Sequence, residues 1–267
     1  MDKTDLESFY DKQPDYNGFR NDPVKQDEYK ILVDWKVRKL VRLVPADYVF
    51  NNVLEVGCAF GVLLNNISDR LNIKTRIGID ISGENIKVAE KMYPGCNFFQ
   101  GTLEEYVSAK PLLSGNHKID LIILSDIVEH VPDDLEFLKI INKISKYVLL
   151  NLPLEKSFKN RNRNYGENDT SGHLRCYNIS LALNLIRRSG FEIISNFTSI
   201  ATTDKLFFRI YKKTRSERVS AKPIILKLFW SVYYSIEDKF KLLNKSLTEK
   251  IYGTNYFALL KSTDPEI

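Results

Sequence analysis

The sequence predicts an α/β fold, a mostly parallel sheet with helices on both faces. Short apolar runs alternate with segments of helical periodicity, and the first apolar run ends in a glycine-bearing turn that opens a helix. The size of the chain agrees, because 267 residues with 43% hydrophobic content can bury one large core or two small ones. We therefore expect a single domain.

Strands and helices alternate along most of the chain. Apolar stripes and helix-starting polar residues predict helices over 27–43, 61–71, 82–92, 104–109, 132–144 and 179–188. Short β-branched and aromatic runs predict strands that begin at 53 and 119, and strands over 75–81, 97–103, 147–152, 191–197 and 255–261. Before the last of these, 205–211 predicts a further strand and 224–243 a helix.

The turn after the first strand has the features of a ligand-binding loop. Gly57 and Gly61 lie between an apolar run that ends at Glu55 and a helical pattern, and glycine lets the backbone approach a ligand closely. Asp80 ends the next strand, where a carboxylate binds ribose hydroxyls in nucleotide-binding α/β units. The spacing is not G-x-G-x-x-G, which argues against a nicotinamide-dependent oxidoreductase.

Four segments, in order, resemble class I S-adenosylmethionine (SAM)-dependent methyltransferases. Glu55-x-Gly57-x-x-x-Gly61 resembles their first motif, and Asp80 and the segment 97–103 follow at the matching places. The segment IDLIILSDIVEHVPD, over 119–133, resembles their D-x-I-x-x-x-D-x-x-E-H-V-x-D segment. The resemblance implies a Rossmann-like sheet of about seven strands with an antiparallel last strand, here with a helical C-terminal insertion. It also implies SAM as cofactor and S-adenosylhomocysteine as product.

The resemblance assigns the cofactor site by position. The first turn would contact the methionine part of SAM, the ends of the next two strands the ribose and adenine, and the end of the fourth strand the ligand cleft. The implied residues are Glu55, Gly57, Cys58, Ala59, Phe60, Gly61, Asp80, Ile81, Gly101, Thr102, Leu103, Ser125 and Asp126. Two have structural alternatives: Glu55 as a buried carboxylate that binds backbone amides, and Asp80 as a helix cap.

His130 is the candidate catalytic residue. Its ionisation near neutral pH suits a general base or an orienting hydrogen bond to an acceptor hydroxyl. The alternative is that the imidazole packs against the cofactor. Asp126-x-x-x-His130 is also similar to phosphoethanolamine methyltransferases, in which the histidine pairs with an N-terminal tyrosine; Tyr10 or Tyr16 would be that partner here.

The same resemblance implies a binding site for an acceptor phosphate. Arg175-x-Tyr177 matches the residues that hold the phosphate in that family, and Arg donates bidentate hydrogen bonds to phosphate. The candidate substrate-binding residues are Tyr16, His173, Arg175 and Tyr177. For His173 and Arg175 the alternative is a capping and surface role. The basic loop 156–163 would add to an anion-attracting mouth.

The two ends of the chain flank the core. Residues 1–48 comprise the predicted helix and a segment that is either a frayed tail or a lid over the cofactor; its aromatic residues favour the lid. Residues 49–200 form the SAM-binding core, 201–252 a basic helical insertion or cap, and 253–267 the last strand and tail. The aromatic residues of 224–243 predict core packing, a substrate cap or a membrane-surface helix.

Composition and charge limit which classes of binding partner and which cellular compartment we expect. The net charge is +5, but residues 201–250 hold twelve Lys or Arg against five Asp or Glu, so any anion attraction is concentrated there. We expect no nucleic-acid partner and no membrane contact. No signal peptide or membrane-spanning run is expected, and three scattered cysteines suit a reducing cytoplasm. Three histidines without C-x-x-C predict no metal site.

The predicted function is methyl transfer from SAM to a small anionic acceptor. The acceptor class is a phosphorylated metabolite or a surface-sugar precursor, as in polysaccharide biosynthesis, and O-methylation is favoured. The alternatives are N-methylation of a phosphobase and a non-catalytic SAM-binding partner subunit.

Overall fold

Seven strands form one sheet in the computed structural model of this chain, which describes residues 3–109, 118–166, 169–201, 204–220, 222–243 and 245–264. The strands are β1 (Asn52–Val56), β2 (Thr75–Asp80), β3 (Asn97–Gln100), β4 (Ile119–Ser125), β5 (Ser145–Leu154), β6 (Phe191–Ser199) and β7 (Thr254–Ser262). Their order is β3-β2-β1-β4-β5-β7-β6. β7 is antiparallel to both neighbours, and the other pairs are parallel. The predicted fold class is confirmed.

Eleven α-helices lie among the described residues. They are α1 (Lys3–Lys12), α2 (Pro14–Asn21), α3 (Pro23–Val41), α4 (Val62–Arg70), α5 (Gly83–Met92), α6 (Leu103–Ala109), α7 (Asp134–Ile144), α8 (Ile179–Arg188), α9 (Lys205–Ser220), α10 (Ile224–Leu243) and α11 (Lys245–Tyr252). A 3₁₀ turn, Val128–His130, follows β4. The predicted bounds of α8 and α10 match those of the structure.

The sheet reverses its direction of growth between β1 and β4. β1 pairs with β2 on one side and with β4 on the other, so the carboxyl ends of β1 and β4 are adjacent. In open α/β sheets ligands bind at this point, outside the carboxyl ends of the strands. The glycine turn after β1 and the residues after β4 therefore border one cleft.

Each face of the sheet buries its own apolar cluster. Side chains alternate along β1, so Leu54 and Val56 face α6, α7 and α8, whereas Val53 faces α3 and α4. Trp35 of α3 is 1% exposed and packs edge-on against Phe257 of β7. The result is a three-layer arrangement that holds the strand ends in fixed positions.

The N-terminal segment forms two helices, α1 and α2, where the sequence shows no clear periodicity. Phe19 of α2 is 1% exposed and stacks on Phe60 of the glycine turn, with ring centroids 3.9 Å apart. Arg20 donates to the carbonyl oxygen of Asp11 at 2.5 Å and to Oδ1 of Asn85 at 2.7 Å. These tertiary contacts, rather than an apolar stripe, hold the two helices.

The strand predicted over 205–211 is wrong, because these residues begin α9. Asp204 accepts hydrogen bonds from the backbone N–H groups of Leu206 and Phe207, which stabilises a helix start. Arg215, one turn after Tyr211, forms ion pairs with Glu237 and Asp238 of α10. The aromatic run therefore lies along a helix that packs on a second helix.

Helix α10 exposes most of its large apolar side chains. Ile225 is 83% exposed and Leu228 74%. Of the aromatic residues predicted to pack in the core, Phe229 (61%) and Tyr233 (42%) are exposed, and Tyr234 and Phe240 are half-buried. Trp230 is only half-buried, beside Tyr234. Among the described helices, none combines the length and the apolar character needed to cross a membrane.

Candidate active site

A cavity of about 400 Å³ opens at the carboxyl ends of β1, β2 and β4. Its volume lies within the range of small-ligand pockets, about 300–1,000 Å³. Its lining includes Leu6, Tyr10, Tyr16, Val56, Gly57, Ile79, Asp80, Ile81, Gly101, Thr102, Leu103, Asp126, Ile127, His130, Val131 and Phe137. The structure thus brings together ten of the residues predicted for the site, and we call this space the inner cavity.

Gly57 lines the inner cavity with its backbone, which a ligand can therefore approach closely. Its φ is +73°, and a Cβ added there would lie 2.9 Å from Cδ1 of Ile127, so a larger residue would be both strained and crowded. Its N–H donates to the carbonyl oxygen of Ile79 on β2. The turn is therefore held tightly against the neighbouring strand.

Asp80 places a buried carboxylate at the inner cavity. The residue is 9% exposed, and its oxygens accept hydrogen bonds from the N–H groups of Ala59 at 2.8 Å and Ser82 at 2.9 Å. Burial raises the pKa of Asp80, although these hydrogen bonds oppose the change. The carboxylate braces the glycine turn and keeps lone pairs for a ligand hydroxyl.

The rest of the glycine turn faces the protein interior. Glu55 is 3% exposed and accepts a hydrogen bond from the N–H of Leu64 on α4, so it is a buried carboxylate that binds a backbone amide. The other predicted contacts that are not part of the cavity lining are Cys58, Ala59, Phe60, Gly61 and Ser125. Phe60 packs among the rings of α2 and α3, and Ser125 bonds to Asn151. These residues therefore support the glycine turn and the end of β4 without lining the cavity.

Helix α1 lies over the mouth of the inner cavity. Asp11 accepts a hydrogen bond from Oγ of Ser82 at 2.5 Å, and Glu7 accepts one from the Gln100 side chain at 2.8 Å. Ser82 also caps α5 by accepting from the N–H of Asn85. These contacts join α1 to the ends of β2 and β3 and bring Tyr10 to the cavity.

Asp126 has an uncommon backbone conformation at the end of β4. Its φ is +53°, a region that few non-glycine residues occupy. The side chain forms an ion pair with Lys36 of α3 and accepts a hydrogen bond from Nδ2 of Asn151 at 3.0 Å. Such strained conformations persist only where surrounding contacts hold them, and they are common at functional sites.

Tyr10 and His130 meet at the border of the inner cavity. The phenolic oxygen lies 3.0 Å from Nδ1 of His130, and the same Nδ1 lies 3.0 Å from the carbonyl oxygen of Gly172. Because a carbonyl oxygen only accepts, Nδ1 carries the proton. Burial and the neighbouring His173 lower the pKa of His130 to about 4, so the ring is neutral at pH 7.

A second cavity, of about 990 Å³, adjoins the first. We call it the outer cavity. It shares Tyr10, Tyr16, Asp126 and His130 with the inner cavity, and it adds Asp5, Ser8, Phe9, Lys12, Gln13, Pro14, Thr170, Ser171 and His173. The four shared residues form the boundary across which two ligands would face each other.

A chain of side-chain contacts in the loop after β5 holds His173 near this boundary. Nδ1 of His173 lies 2.7 Å from Oε2 of Glu155, which also contacts Arg163 at 2.9 Å. Two nitrogens of Arg163 donate to the two oxygens of Asp169, each at 2.7 Å. Arg163 lowers the pKa of Asp169 to about 2. The loop is therefore internally cross-linked.

Arg175 and Tyr177 do not join the other predicted residues. Arg175 pairs with Asp134 at 2.9 Å and donates to the carbonyl oxygen of Pro132. Tyr177 is 4% exposed, and its hydroxyl donates to Asp134 at 2.6 Å. Burial and this hydrogen bond raise the pKa of Tyr177. Neither side chain lines the inner or outer cavity.

Sequence reasoning missed Glu129, the residue before His130. It is 1% exposed, and neither carboxylate oxygen has a hydrogen-bond partner among the described residues. Burial raises its pKa strongly, and the charge of Asp126 adds to the effect. The signal in the sequence was a carboxylate next to histidine inside an otherwise apolar turn.

Several solved structures have the same fold. The cyclopropane synthase MmaA2 from Mycobacterium tuberculosis has a TM-score of 0.59 at 14% identity, with 98% of this chain and 99% of that chain covered. A chain from the complex between the Haloferax volcanii Trm112 methyltransferase activator and the putative methyltransferase has a TM-score of 0.59 at 11% identity, covering 94% and 98%. Magnesium protoporphyrin IX methyltransferase from Synechocystis PCC 6803, with bound S-adenosylhomocysteine, has 0.52 at 15% identity, covering 74% and 93%.

At these identities the likeness shows the fold, which is that of class I SAM-dependent methyltransferases. The family model described as "Methyltransferase domain" matches residues 26–196, well over half of the chain. The chain therefore belongs to the methyltransferase domain family, and its cofactor is SAM. None of the curated protein sequences matches it.

The residues at the inner cavity fit this cofactor. The backbone at Gly57, where a Cβ would clash, suits the amino-acid part of SAM. The buried carboxylate of Asp80 suits the ribose, and the apolar lining around Leu103 and Phe137 suits the adenine. When bound, SAM supplies a methyl group that is activated by its sulfonium.

Proposed function

We propose that this protein transfers the methyl group of SAM to an oxygen of a small acceptor that enters through the outer cavity. The observation that carries the proposal is the shared boundary: Tyr10, Tyr16, Asp126 and His130 line both cavities. A methyl donor in one cavity and an acceptor in the other would face each other there. Holding two reactants in line accounts for much of the rate enhancement in such reactions.

The proposed cofactor contacts follow from the lining of the inner cavity. Asp80 accepts hydrogen bonds from the ribose hydroxyls, and Gly57 lets the methionine part approach the backbone. The adenine lies against Ile81, Thr102 and Leu103, at the ends of β2 and β3. Glu55 supports the turn through Leu64 and does not contact the cofactor directly.

Tyr10 is proposed to contact the acceptor, and His130 to position Tyr10. Since Nδ1 of His130 donates toward both Gly172 and Tyr10, the tyrosine O–H is free to donate into the cavities. In the transfer, an acceptor oxygen lone pair forms the new O–C bond while the C–S bond breaks and its electron pair stays on sulfur. The hydroxyl proton leaves to solvent in the outer cavity.

An anionic acceptor, such as a phosphorylated metabolite or a surface-sugar precursor, remains our proposal for the substrate class. The structure changes which cationic side chain supports this proposal. Arg175 contacts Asp134, whereas Lys12 lines the outer cavity. Lys12 therefore replaces Arg175 as the side chain proposed to meet an acceptor anion.

The cytoplasm is the compartment we propose. Cys58, Cys96 and Cys176 are all free thiols. Unpaired cysteines suit a reducing compartment, and SAM would be available to the enzyme there.

The cofactor assignment is tested by calorimetric titration with S-adenosylhomocysteine. Asp80→Asn removes one negative oxygen at the ribose and is expected to weaken binding at least about tenfold. Asp47→Asn makes the same chemical change at an exposed position and should bind like the wild type. Equal affinity of all three proteins would contradict the placement of the ribose at Asp80.

The reaction is tested with SAM that carries an isotopically labelled methyl group. The labelled product of candidate phosphorylated and sugar-linked acceptors is analysed by NMR, which separates methoxy from N-methyl carbons. A methoxy product supports O-methylation, and an N-methyl product would replace it with transfer to nitrogen. Tight binding of S-adenosylhomocysteine with no product from any acceptor class would favour a non-catalytic SAM-binding protein.

A further inference from the structure

Three side chains with metal-binding groups converge beside the methyl-transfer boundary. One donor atom from each of Glu129, His130 and His173 lies within 4.8 Å of the others. Nε2 of His130 is 3.8 Å from Oε1 of Glu129, and the two imidazole rings are 4.7 Å apart, edge to face. The cluster is built from two elements, the 3₁₀ turn after β4 and the loop after β5.

Glu129 brings an unmatched carboxylate to this cluster. It is 1% exposed, and both oxygens lack a hydrogen-bond donor among the described residues. Taking a carboxylate out of water without a partner costs several kcal/mol, and buried charges are generally paired or bound to metal ions. A bound cation would satisfy the oxygens of Glu129, which no side chain among the described residues does.

Each histidine is held by its other ring nitrogen. Nδ1 of His130 lies 3.0 Å from the carbonyl oxygen of Gly172, and Nδ1 of His173 lies 2.7 Å from the carboxylate of Glu155. Because both partners accept hydrogen bonds, both Nδ1 atoms carry a proton, and in the neutral imidazole Nε2 then carries the lone pair. Histidines that bind metals usually donate their second N–H to a carboxylate or carbonyl in this way.

We propose that Glu129, His130 and His173 bind a divalent first-row transition-metal ion, through one carboxylate oxygen and the two Nε2 atoms. The carboxyl group of Glu129 and the two imidazoles all have lone pairs for a cation, and among the described residues no side-chain donor satisfies the carboxyl oxygens. Two imidazoles and a carboxylate suit Mn²⁺, Fe²⁺, Co²⁺ or Zn²⁺, whereas Mg²⁺ and Ca²⁺ prefer oxygen ligands alone. From the sequence alone we expect no metal at these residues.

The ion would have open coordination positions toward the acceptor. His130 and His173 both line the outer cavity, so an acceptor oxygen there can complete the coordination. A bound divalent ion lowers the pKa of a coordinated hydroxyl, and its proton would pass to solvent before transfer. The ion also supplies positive charge for an anionic acceptor. This role depends on the proposed function, but binding of the ion does not.

The test is metal binding by the full-length, chelator-treated protein. Co²⁺ is titrated and followed by its visible absorption, and Mn²⁺ is titrated and followed by electron paramagnetic resonance. We expect one ion per chain. Glu129→Gln and His173→Gln should each weaken binding at least tenfold, and Glu90→Gln, the same change at an exposed position, should not. S-adenosylhomocysteine affinity is measured in parallel and should stay within twofold.

A second variant keeps the test decisive if a ligand substitution impairs folding. Glu155→Gln retains the three ligands but weakens the partner of His173, and loss of such a partner typically weakens metal binding about ten- to a hundredfold. The proposal is overturned if the wild type binds S-adenosylhomocysteine but no metal, or if the variants bind metal like the wild type. Failure to bind S-adenosylhomocysteine while metal binds would instead contradict the proposed function.

Discussion

The phenolic oxygen of Tyr10 lies 3.0 Å from Nδ1 of His130, although 120 residues separate them in the chain. This contact links α1 to the 3₁₀ turn after β4 at the boundary of the two cavities. Tyr10→Phe removes the hydroxyl and leaves the ring. We expect kcat to fall about tenfold or more, because the acceptor loses an orienting partner.

Measurements of cofactor affinity and thermal stability, made beside kcat, separate this role from a structural one. The affinity for S-adenosylhomocysteine and the thermal midpoint should change little in Tyr10→Phe, since the ring contacts with Phe9 and Tyr16 remain. Tyr233→Phe, at an exposed tyrosine of α10, is the matched control. An unchanged kcat in Tyr10→Phe would remove Tyr10 from the reaction.

Gly57 is expected to tolerate no side chain. Gly57→Ala places a Cβ 2.9 Å from Cδ1 of Ile127 in a backbone with φ of +73°. We expect a loss of about 1–3 kcal/mol in the free energy of unfolding and a clear loss of S-adenosylhomocysteine affinity. Chemical denaturation and calorimetry measure both.

Gly95 provides the control for that substitution. A Cβ added at Gly95 meets nothing within 4 Å, so Gly95→Ala should change neither quantity. If Gly57→Ala behaved like Gly95→Ala, the close approach of the turn to the cofactor would be wrong.

Arg175 is expected to affect stability more than substrate binding. Its guanidinium contacts Asp134 and the carbonyl oxygen of Pro132, away from both cavities. Arg175→Gln should lower the free energy of unfolding by about 1 kcal/mol and leave the acceptor KM within about twofold. A large rise in KM with unchanged stability would restore the phosphate-binding role that the sequence implied.

Arg163 is expected to hold the loop after β5 in place. Lysine cannot reproduce the two parallel hydrogen bonds to Asp169, whose Oδ1 also accepts from the N–H groups of Ser171 and His173. In Arg163→Lys, hydrogen exchange of these two amides should be about tenfold faster. Arg161→Lys, nearby and exposed, should leave it unchanged; equal exchange in both variants would contradict the cross-linked loop.

Much of the fold could be predicted because the relevant signals are local. The runs around Val53, Thr75 and Ile119 are short, apolar and rich in β-branched residues, and Ser82 precedes its helix as an N-cap. The antiparallel last strand followed from the family resemblance. The strand prediction over 205–211 is wrong because its apolar and aromatic residues suit either element. The hydrogen bond that Asp204 accepts from Leu206 and the ion pair of Arg215 with Glu237 stabilise a helix.

The sequence by itself determined the order of the strands and helices between β1 and β6, the glycine turn and the carboxylate of Asp80, since spacing along the chain defines them. Only the tertiary structure decided which side chains meet at the boundary of the two cavities. Tyr10, His130 and His173 come together through the packing of α1 and of the loop after β5. Arg175 instead forms an ion pair with Asp134, away from this boundary. The physical reason is that burial, ion pairing and hydrogen-bond satisfaction depend on neighbours that are distant in sequence.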